Sequence, residues 1–328
     1  MVDTLLAISY KAPLLITSIG LLMGFYALIK GSDCLINGSE SIAKSFSISP
    51  FVIGFSVLAI GTSLPEMMVT VLAALNHEPG IVFGNIIGSN ISNTLLIVGI
   101  SVIIGSISFA KPELRKQVLL TTAASIFFIF LIYLPSLSSP SQPSLQRWSG
   151  IVLLLLFGVY LWYLMTAKAV SVEEEEYPSY PMFKAILYCI IGIIGLGIGG
   201  QLVVSNTLAI CSLLSIATTT VSLIVVALGT SLPELVTCID ALRRGKGDLA
   251  IGNILGSNIF NLYLVLGVSA SIIPISLPKE LPLYLGIMIT SMVMITGMIY
   301  ANKKNSLGRG SGIILLGCYL LYLASLIL

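Results

Sequence analysis

The chain has 328 residues, 56% of them hydrophobic and only 9% charged, with a mean hydropathy of +1.05 and a formal net charge of +2. A soluble domain carries about 25% charged residues. This composition excludes a soluble globular domain and points to an all-α polytopic membrane protein, with the lipid bilayer as its solvent and no nucleic-acid partner expected.

Apolar stretches of about 20 residues, the length that spans a bilayer core, fall near 13–46, 50–75, 81–107, 116–134, 148–167, 181–214, 218–242, 248–273, 281–301 and 310–328. They predict ten transmembrane helices. The expected organisation is a first five-helix unit at 1–167, a cytoplasmic acidic linker at 168–180 and a second five-helix unit at 181–328. The first and sixth stretches are the longest; at 1.5 Å per residue each reaches about 51 Å against a core of about 30 Å, so they must tilt or bend.

The first stretch has no basic leader or small-residue cleavage site before it, so a retained helix is expected rather than a signal peptide. Within it, Asp33 lies three residues after Lys30 and Glu40 four before Lys44, spacings that suit intrahelical ion pairs; Asp240 stands in the same relation to Arg243 and Arg244. His77 falls in a polar turn, His77-Glu78-Pro79-Gly80. Pro135–Gln146 reads as an outer linker, and Glu173–Glu176 as a solvated acidic run too short for a regulatory domain. Glycosylation-like triplets at Asn37 and Asn90 lie inside apolar stretches and are discounted. The cysteines Cys34, Cys189, Cys211, Cys238 and Cys318 fit no disulfide or zinc spacing and are expected as free thiols.

With the N-terminus outside, the inner side receives Lys44, Lys111, Arg115, Lys116, Lys168, Lys184, Arg243, Arg244, Lys246, Lys303, Lys304 and Arg309, and the outer side only Lys11, Arg147 and Lys279. This positive-inside excess predicts both termini outside a cell membrane.

One hexapeptide occurs twice. Gly61-Thr62-Ser63-Leu64-Pro65-Glu66 returns as Gly229-Thr230-Ser231-Leu232-Pro233-Glu234. Each copy sets a carboxylate inside an apolar stretch, where a charge costs about 2.5–3.5 kcal/mol on insertion scales and by default marks a functional site. The proline before it has no N–H, so the carbonyl four residues back, at Gly61 or Gly229, loses its helical partner. A break of this kind is tolerable in lipid only where protein or a water-filled cavity surrounds it. Each hexapeptide thus gathers carbonyls, two hydroxyls and a carboxylate in one turn, the oxygen set of hard cations.

The 168-residue offset also carries Gly84-Asn85-Ile86-Ile87-Gly88-Ser89-Asn90-Ile91 onto Gly252-Asn253-Ile254-Leu255-Gly256-Ser257-Asn258-Ile259, and Asn93 onto Asn261. An odd number of helices per unit predicts that the two five-helix repeats are inverted, a plan that places substrate at the midplane on interrupted helices. Glycines four apart permit close helix approach. Ser89 with Asn93, and Ser257 with Asn261, share a helix face; they either aim oxygens at the centre or bond neighbouring helices.

At the doubled G-T-S-L-P-E and G-S-N-I segments the sequence resembles the cation/calcium exchanger superfamily, on the prokaryotic sodium/calcium exchanger branch. The resemblance implies a secondary antiporter with calcium and sodium as transported ions, no cofactor and no protein partner. It implies that Glu66 and Glu234 ligate the ions with Thr62, Thr230, Ser63, Ser231, Ser89, Ser257, Asn93 and Asn261, and with carbonyls near Ala59 and Ala227. The G-N-x-x-E motif of the proton-coupled branch is absent. Relatives that include the potassium-dependent branch have Asp where this chain has Asn261, so potassium co-transport is not expected. A proton-coupled calcium antiporter and a calcium-permeable channel are the alternatives; both carboxylates lie in one chain, which argues for a closed site rather than a channel ring. No HExxH, Ser/His pair or nucleotide loop suggests an enzyme.

Overall fold

A computed structural model describes residues 14–45, 61–105, 107–109, 112–138, 143–166, 180–243, 247–302 and 306–327. In chain order the helices are α1 (Leu14–Ser45), α2 (Leu64–Leu75), α3 (Pro79–Ile104), α4 (Pro112–Ser138), α5 (Arg147–Thr166), α6 (Met182–Leu214), α7 (Thr218–Thr230), α8 (Leu232–Arg243), α9 (Gly247–Ile259, continuing to Ile272), α10 (Leu281–Ala301) and α11 (Arg309–Ile327). Among the described residues seven helices are long and apolar enough to cross a membrane, and eight if α7 and α8, bent by 40° at Ser231, count as one span. Helix α2 is short and apolar, and its predicted first half at 50–60 lies outside the described residues, as does most of the linker at 168–180.

The chain turns between α2 and α3 where the sequence places His77-Glu78-Pro79. His77 takes a left-handed φ of 58°, its N–H and that of Glu78 bonding the last carbonyls of α2 at Ala74 and Ala73. Pro79 then opens α3, where its missing N–H is no loss.

Helices α1 and α6 pack backbone against backbone. A Cβ on Gly31 would stand 2.7 Å from the Leu196 nitrogen, one on Gly38 2.6 Å from the Ala185 oxygen, and one on Gly199 2.9 Å from the Gly24 oxygen. Only glycine permits this backbone contact. Numbers rise along α1 as they fall along α6, so these two equivalent helices run antiparallel. Helices α3 and α9 do the same, because the turn at His77–Pro79 before α3 and the segment Ile273–Ser276 after α9 line one cavity. Two short ladders close opposite ends: β1 (Ile107–Ser108) pairs with β4 (Ser306–Leu307), and β2 (Ser144–Leu145) with β3 (Ile275–Ser276), both antiparallel.

The buried core centres on α3 and α9. Along α3 nearly every residue from Gly80 to Leu95 is buried, whereas α1, α6 and α11 expose Leu, Ile and Phe side chains outward. That inside-out gradient suits a bundle solvated by lipid. Gly84 and Gly88 bring α3 against Ser222, Leu223 and Ala227 of α7. The segment equivalent to this part of α7, 54–59, against which α9 would pack in the same way, lies outside the described residues.

A cross-braced cluster of buried oxygens

Each hexapeptide breaks its helix at the same residue with the same conformation: Ser63 at φ −91°, ψ 8° and Ser231 at φ −83°, ψ 6°. This is the sparsely allowed bridge region that active-site residues often occupy. The prolines come two residues later, in the first turn of α2 and α8, where a missing N–H is tolerated. Glu66 and Glu234 lie in those same first turns, where the positive end of the helix dipole favours an anion. Both are fully buried.

The two halves hold each other's carboxylates. The Ser63 hydroxyl donates to Glu234 Oε1 at 3.0 Å and the Ser231 hydroxyl to Glu66 Oε1 at 3.1 Å. Thr62 and Thr230 stand next to Ser63 and Ser231 in the same turns, and the Thr230 hydroxyl lies 3.0 Å from both Asn85 Oδ1 and the Val226 carbonyl. Ser257 adds a second donor to Glu234 Oε1 at 3.3 Å, and Ser89 donates to the Ala227 carbonyl at 3.4 Å. In both glutamates the second oxygen, Oε2, is buried and has no partner.

The asparagines complete the arrangement. Each of α3 and α9 widens into a π-turn, at Ser92–Ile97 and Phe260–Val265. Asn93 and Asn261 sit in those turns, a distortion frequent at functional sites. Asn93 Nδ2 donates to Asn258 Oδ1 and Asn261 Nδ2 to Asn90 Oδ1, both at 3.1 Å. Asn90 in turn donates to the Asn258 carbonyl at 3.3 Å, and Asn258 to Thr94 at 3.1 Å. With its NH2 tied, each of Asn93 and Asn261 presents its Oδ1, again buried and without a partner. A buried acceptor left unmade costs about 1–3 kcal/mol. Four such acceptors, one carboxylate and one amide oxygen from each half, are of the kind that a desolvated cation could satisfy.

Of the residues picked from sequence, the contacts above link Ser63 and Ser257 with Glu234, Ser231 with Glu66, and Ser89 with Ala227, with Thr62 and Thr230 in the same turns; Asn93 and Asn261 belong to an asparagine network that begins one residue after Ser89 and Ser257. Ala59 lies outside the described residues. Among the described residues no group of three His, Cys, Asp or Glu side chains could hold a metal; two carboxylates with hydroxyl, amide and carbonyl oxygens are the donor set, and it is hard throughout.

The family profile described as sodium/calcium exchanger protein matches residues 16–166 and again 184–328. The chain belongs to the sodium/calcium exchanger family. It is 30% identical over 343 residues to the sodium/calcium exchanger MaX1 of Methanosarcina acetivorans, covering 93% of this chain and 97% of that one. It is 31% identical over 323 residues to the inner membrane protein YrbG of Escherichia coli, covering 93% and 95%. Among solved structures it is similar to the sodium-calcium exchanger NCX_Mj, with a TM-score of 0.64 and 32% identity over 95% of this chain and 99% of that one.

Within this exchanger fold, sequence reasoning passed over Asn90, Asn258, Asn85 and Ser32. The first three stand inside the duplicated octapeptide, and the duplication is the signal that could have marked them. Ser32 carries no such signal. Its hydroxyl donates to the Gly61 carbonyl, the group that Pro65 frees, so this carbonyl is capped by α1 rather than left wholly open to the cluster as the sequence suggests.

Proposed function

We propose that the chain exchanges sodium for calcium across the cell membrane by alternating access to one site between its two halves. The observation that carries this reading is the cluster of unpartnered buried acceptors: Glu66 Oε2, Glu234 Oε2, Asn93 Oδ1 and Asn261 Oδ1. In the proposal these bind the ions together with the hydroxyls of Thr62, Thr230, Ser63, Ser231, Ser89 and Ser257 and the carbonyls of Ala227 and Ala59. Ten spans in two inverted five-helix repeats, with both termini outside, is the matching topology; the antiparallel runs of α1 against α6 and α3 against α9 support it.

Two carboxylates in a low dielectric resist being charged together, and a bound cation resolves that repulsion. Calcium takes six to eight oxygens; sodium ions would divide the same oxygens among smaller sites. Neither occupancy admits the other, which makes exchange obligatory. Access alternates as α1 and α6, whose glycines put backbone against backbone, slide over the fixed cluster.

The site carries −2 from Glu66 and Glu234, since Asn93 and Asn261 are neutral. One calcium ion leaves it neutral and three sodium ions leave +1, so transport is electrogenic, driven by roughly 2.3 kcal/mol per charge per 100 mV, and needs no potassium. The deciding experiment is calcium uptake into proteoliposomes with sodium, potassium and proton gradients imposed separately and the potential clamped. Uptake should require the sodium gradient and follow the potential. Uptake driven by protons alone, or an absolute need for potassium, would overturn the assignment.

A further inference from the structure

The outward faces of α1 and α6 correspond residue for residue under the 168-residue offset. Leu15, Ile19, Leu22, Tyr26, Lys30 and Asp33 on α1 answer to Phe183, Leu187, Ile190, Ile194, Ile198 and Gln201 on α6. Both faces look away from the core. On α6 the face is apolar as far as Ile198, which is 56% exposed, as a surface bathed by lipid should be. On α1 the position of Ile198 holds Lys30, paired with Asp33 at 3.1 Å, and the two side chains are 58% and 51% exposed.

Depth makes this pair unusual. Ser32, between the two charges, donates to the Gly61 carbonyl at the start of the hexapeptide. Two residues on, Ser63 donates to Glu234, which also accepts from Ser257, near the middle of α9. Lys30 and Asp33 therefore stand at the level of the ion cluster, far from either headgroup layer, on the side of α1 turned away from it. Charged side chains at that depth almost always face protein or water. Lipid alone explains the face of α6 and does not explain that of α1.

We propose that the outward face of α1 is the contact surface for a second copy of this chain, in a two-fold dimer whose axis runs along the membrane normal. The motif is self-complementary. Two-fold symmetry lays α1 beside its copy in the same direction, with Asp33 of the second copy one turn, about 4.5 Å, along the axis from Lys30. Each lysine then pairs with the aspartate of the other copy as well as its own, closing a ring of four alternating charges. Polar groups of this kind hold helices together in lipid, where apolar contact gives no hydrophobic drive. Tyr26 and Leu22, about one and two turns away, supply the packing.

The test uses the full chain purified, freed of its native cysteines and reconstituted at high dilution in lipid. Leu22→Cys and Tyr26→Cys on α1 should form disulfide-linked dimers on mild oxidation, and Ile190→Cys and Ile194→Cys on α6 should not. Adding Lys30→Asp or Asp33→Lys to the Tyr26→Cys chain should abolish the cross-link, because each ring becomes single-signed. The two swaps together should restore it. The doubly apolar Lys30→Leu, Asp33→Leu chain should stay folded and bleach in single fluorophore steps, where the native chain bleaches in two. Equal cross-linking from α1 and α6, or single swaps without effect, would overturn the proposal. So would Asp33→Cys reacting with a membrane-impermeant thiol reagent in a chain that does not cross-link, which would make this face the wall of a water-filled crevice instead.

Discussion

Glu66 and Glu234 occupy equivalent positions in the two halves, and equivalent serines hold their carboxylates, yet the residues that brace the backbone around them do not match. In the first half Asn85 is fully bonded: its Nδ2 donates to Thr70 at 2.9 Å and to the Glu66 carbonyl at 3.3 Å, and its Oδ1 accepts from Thr230 at 3.0 Å. Its counterpart Asn253 is buried, and neither Nδ2 nor Oδ1 has a partner. The partner lost is identifiable. Thr70 answers to Cys238, whose thiol lies 3.0 Å from the Ser101 hydroxyl instead. Likewise Ser32, which caps Gly61, answers to Gly200, which has no hydroxyl to offer Gly229. The groups proposed to touch the ion are duplicated, while the groups that hold the backbone behind them are not. An ion held between two halves needs near-equal donors from each, whereas a brace has only to satisfy its own neighbours.

The sharpest way to break the comparison is to remove one carboxylate at a time. Glu66→Gln and Glu234→Gln should each reduce calcium uptake in proteoliposomes to background while the protein stays monodisperse in detergent. Each leaves one negative charge where calcium needs two, so the losses should be equal. Near-normal uptake in either variant would show that the two carboxylates are not one site.

Removing the asparagines behind the proposed ligands should have the next largest effect. Asn90 and Asn258 touch the asparagine amides rather than any proposed ion position, and they turn the Asn261 and Asn93 oxygens inward. Outer partners of metal ligands typically contribute about 10–100-fold in affinity. Asn90→Ala and Asn258→Ala should each weaken apparent calcium affinity within that range, with maximal flux less affected. Unchanged affinity would mean that Asn93 and Asn261 are held by other contacts.

What the sequence disclosed follows the same division. The hydropathy runs, the two helix breaks and the carboxylates are written in residue type and can be read locally. Ten apolar stretches were legible, and each has helical residues in the structure, although seven or eight pass as spans on length and composition. The 168-residue offset exposed Asn93 and Asn261 because identity across halves is itself a pattern. What stayed hidden is pairwise. Nothing in the string Ser63 or Ser231 says that each hydroxyl crosses to the other half's glutamate, and the π-turns that carry Asn93 and Asn261 have no residue signature. Ser32 was illegible because its role exists only once α1 lies against the start of α2, and its counterpart is a glycine.

Asn85 and Asn253 then offer a stability test. Asn85→Ala strands the Thr70 and Glu66 groups it bonds, at about 1–3 kcal/mol for buried polar groups left unpaired. Asn253→Ala strands nothing, because Asn253 has no partner to lose, and should be neutral or slightly stabilising in thermal unfolding of the detergent-solubilised protein. Equal losses from the two substitutions would show that Asn253 is braced after all.

The smallest expected effect rebuilds the missing brace. Cys238→Thr gives the second half the hydroxyl that Thr70 supplies in the first, on the same turn of its helix. Asn253 Nδ2 then gains an acceptor, and a net hydrogen bond contributes about 0.5–1.5 kcal/mol. Against this stands the contact between Cys238 and Ser101, which the threonine hydroxyl can also meet, since a hydroxyl donates once and accepts twice. Sulfur and the added methyl are close in bulk, so packing in this fully buried position should change little. The expectation is a modest rise in melting temperature that vanishes when Asn253→Ala is added, because both act through one bond. Additive effects of the two substitutions would place the gain elsewhere, and a drop in melting temperature with Cys238→Thr would show that the pocket around Cys238 is shaped for sulfur.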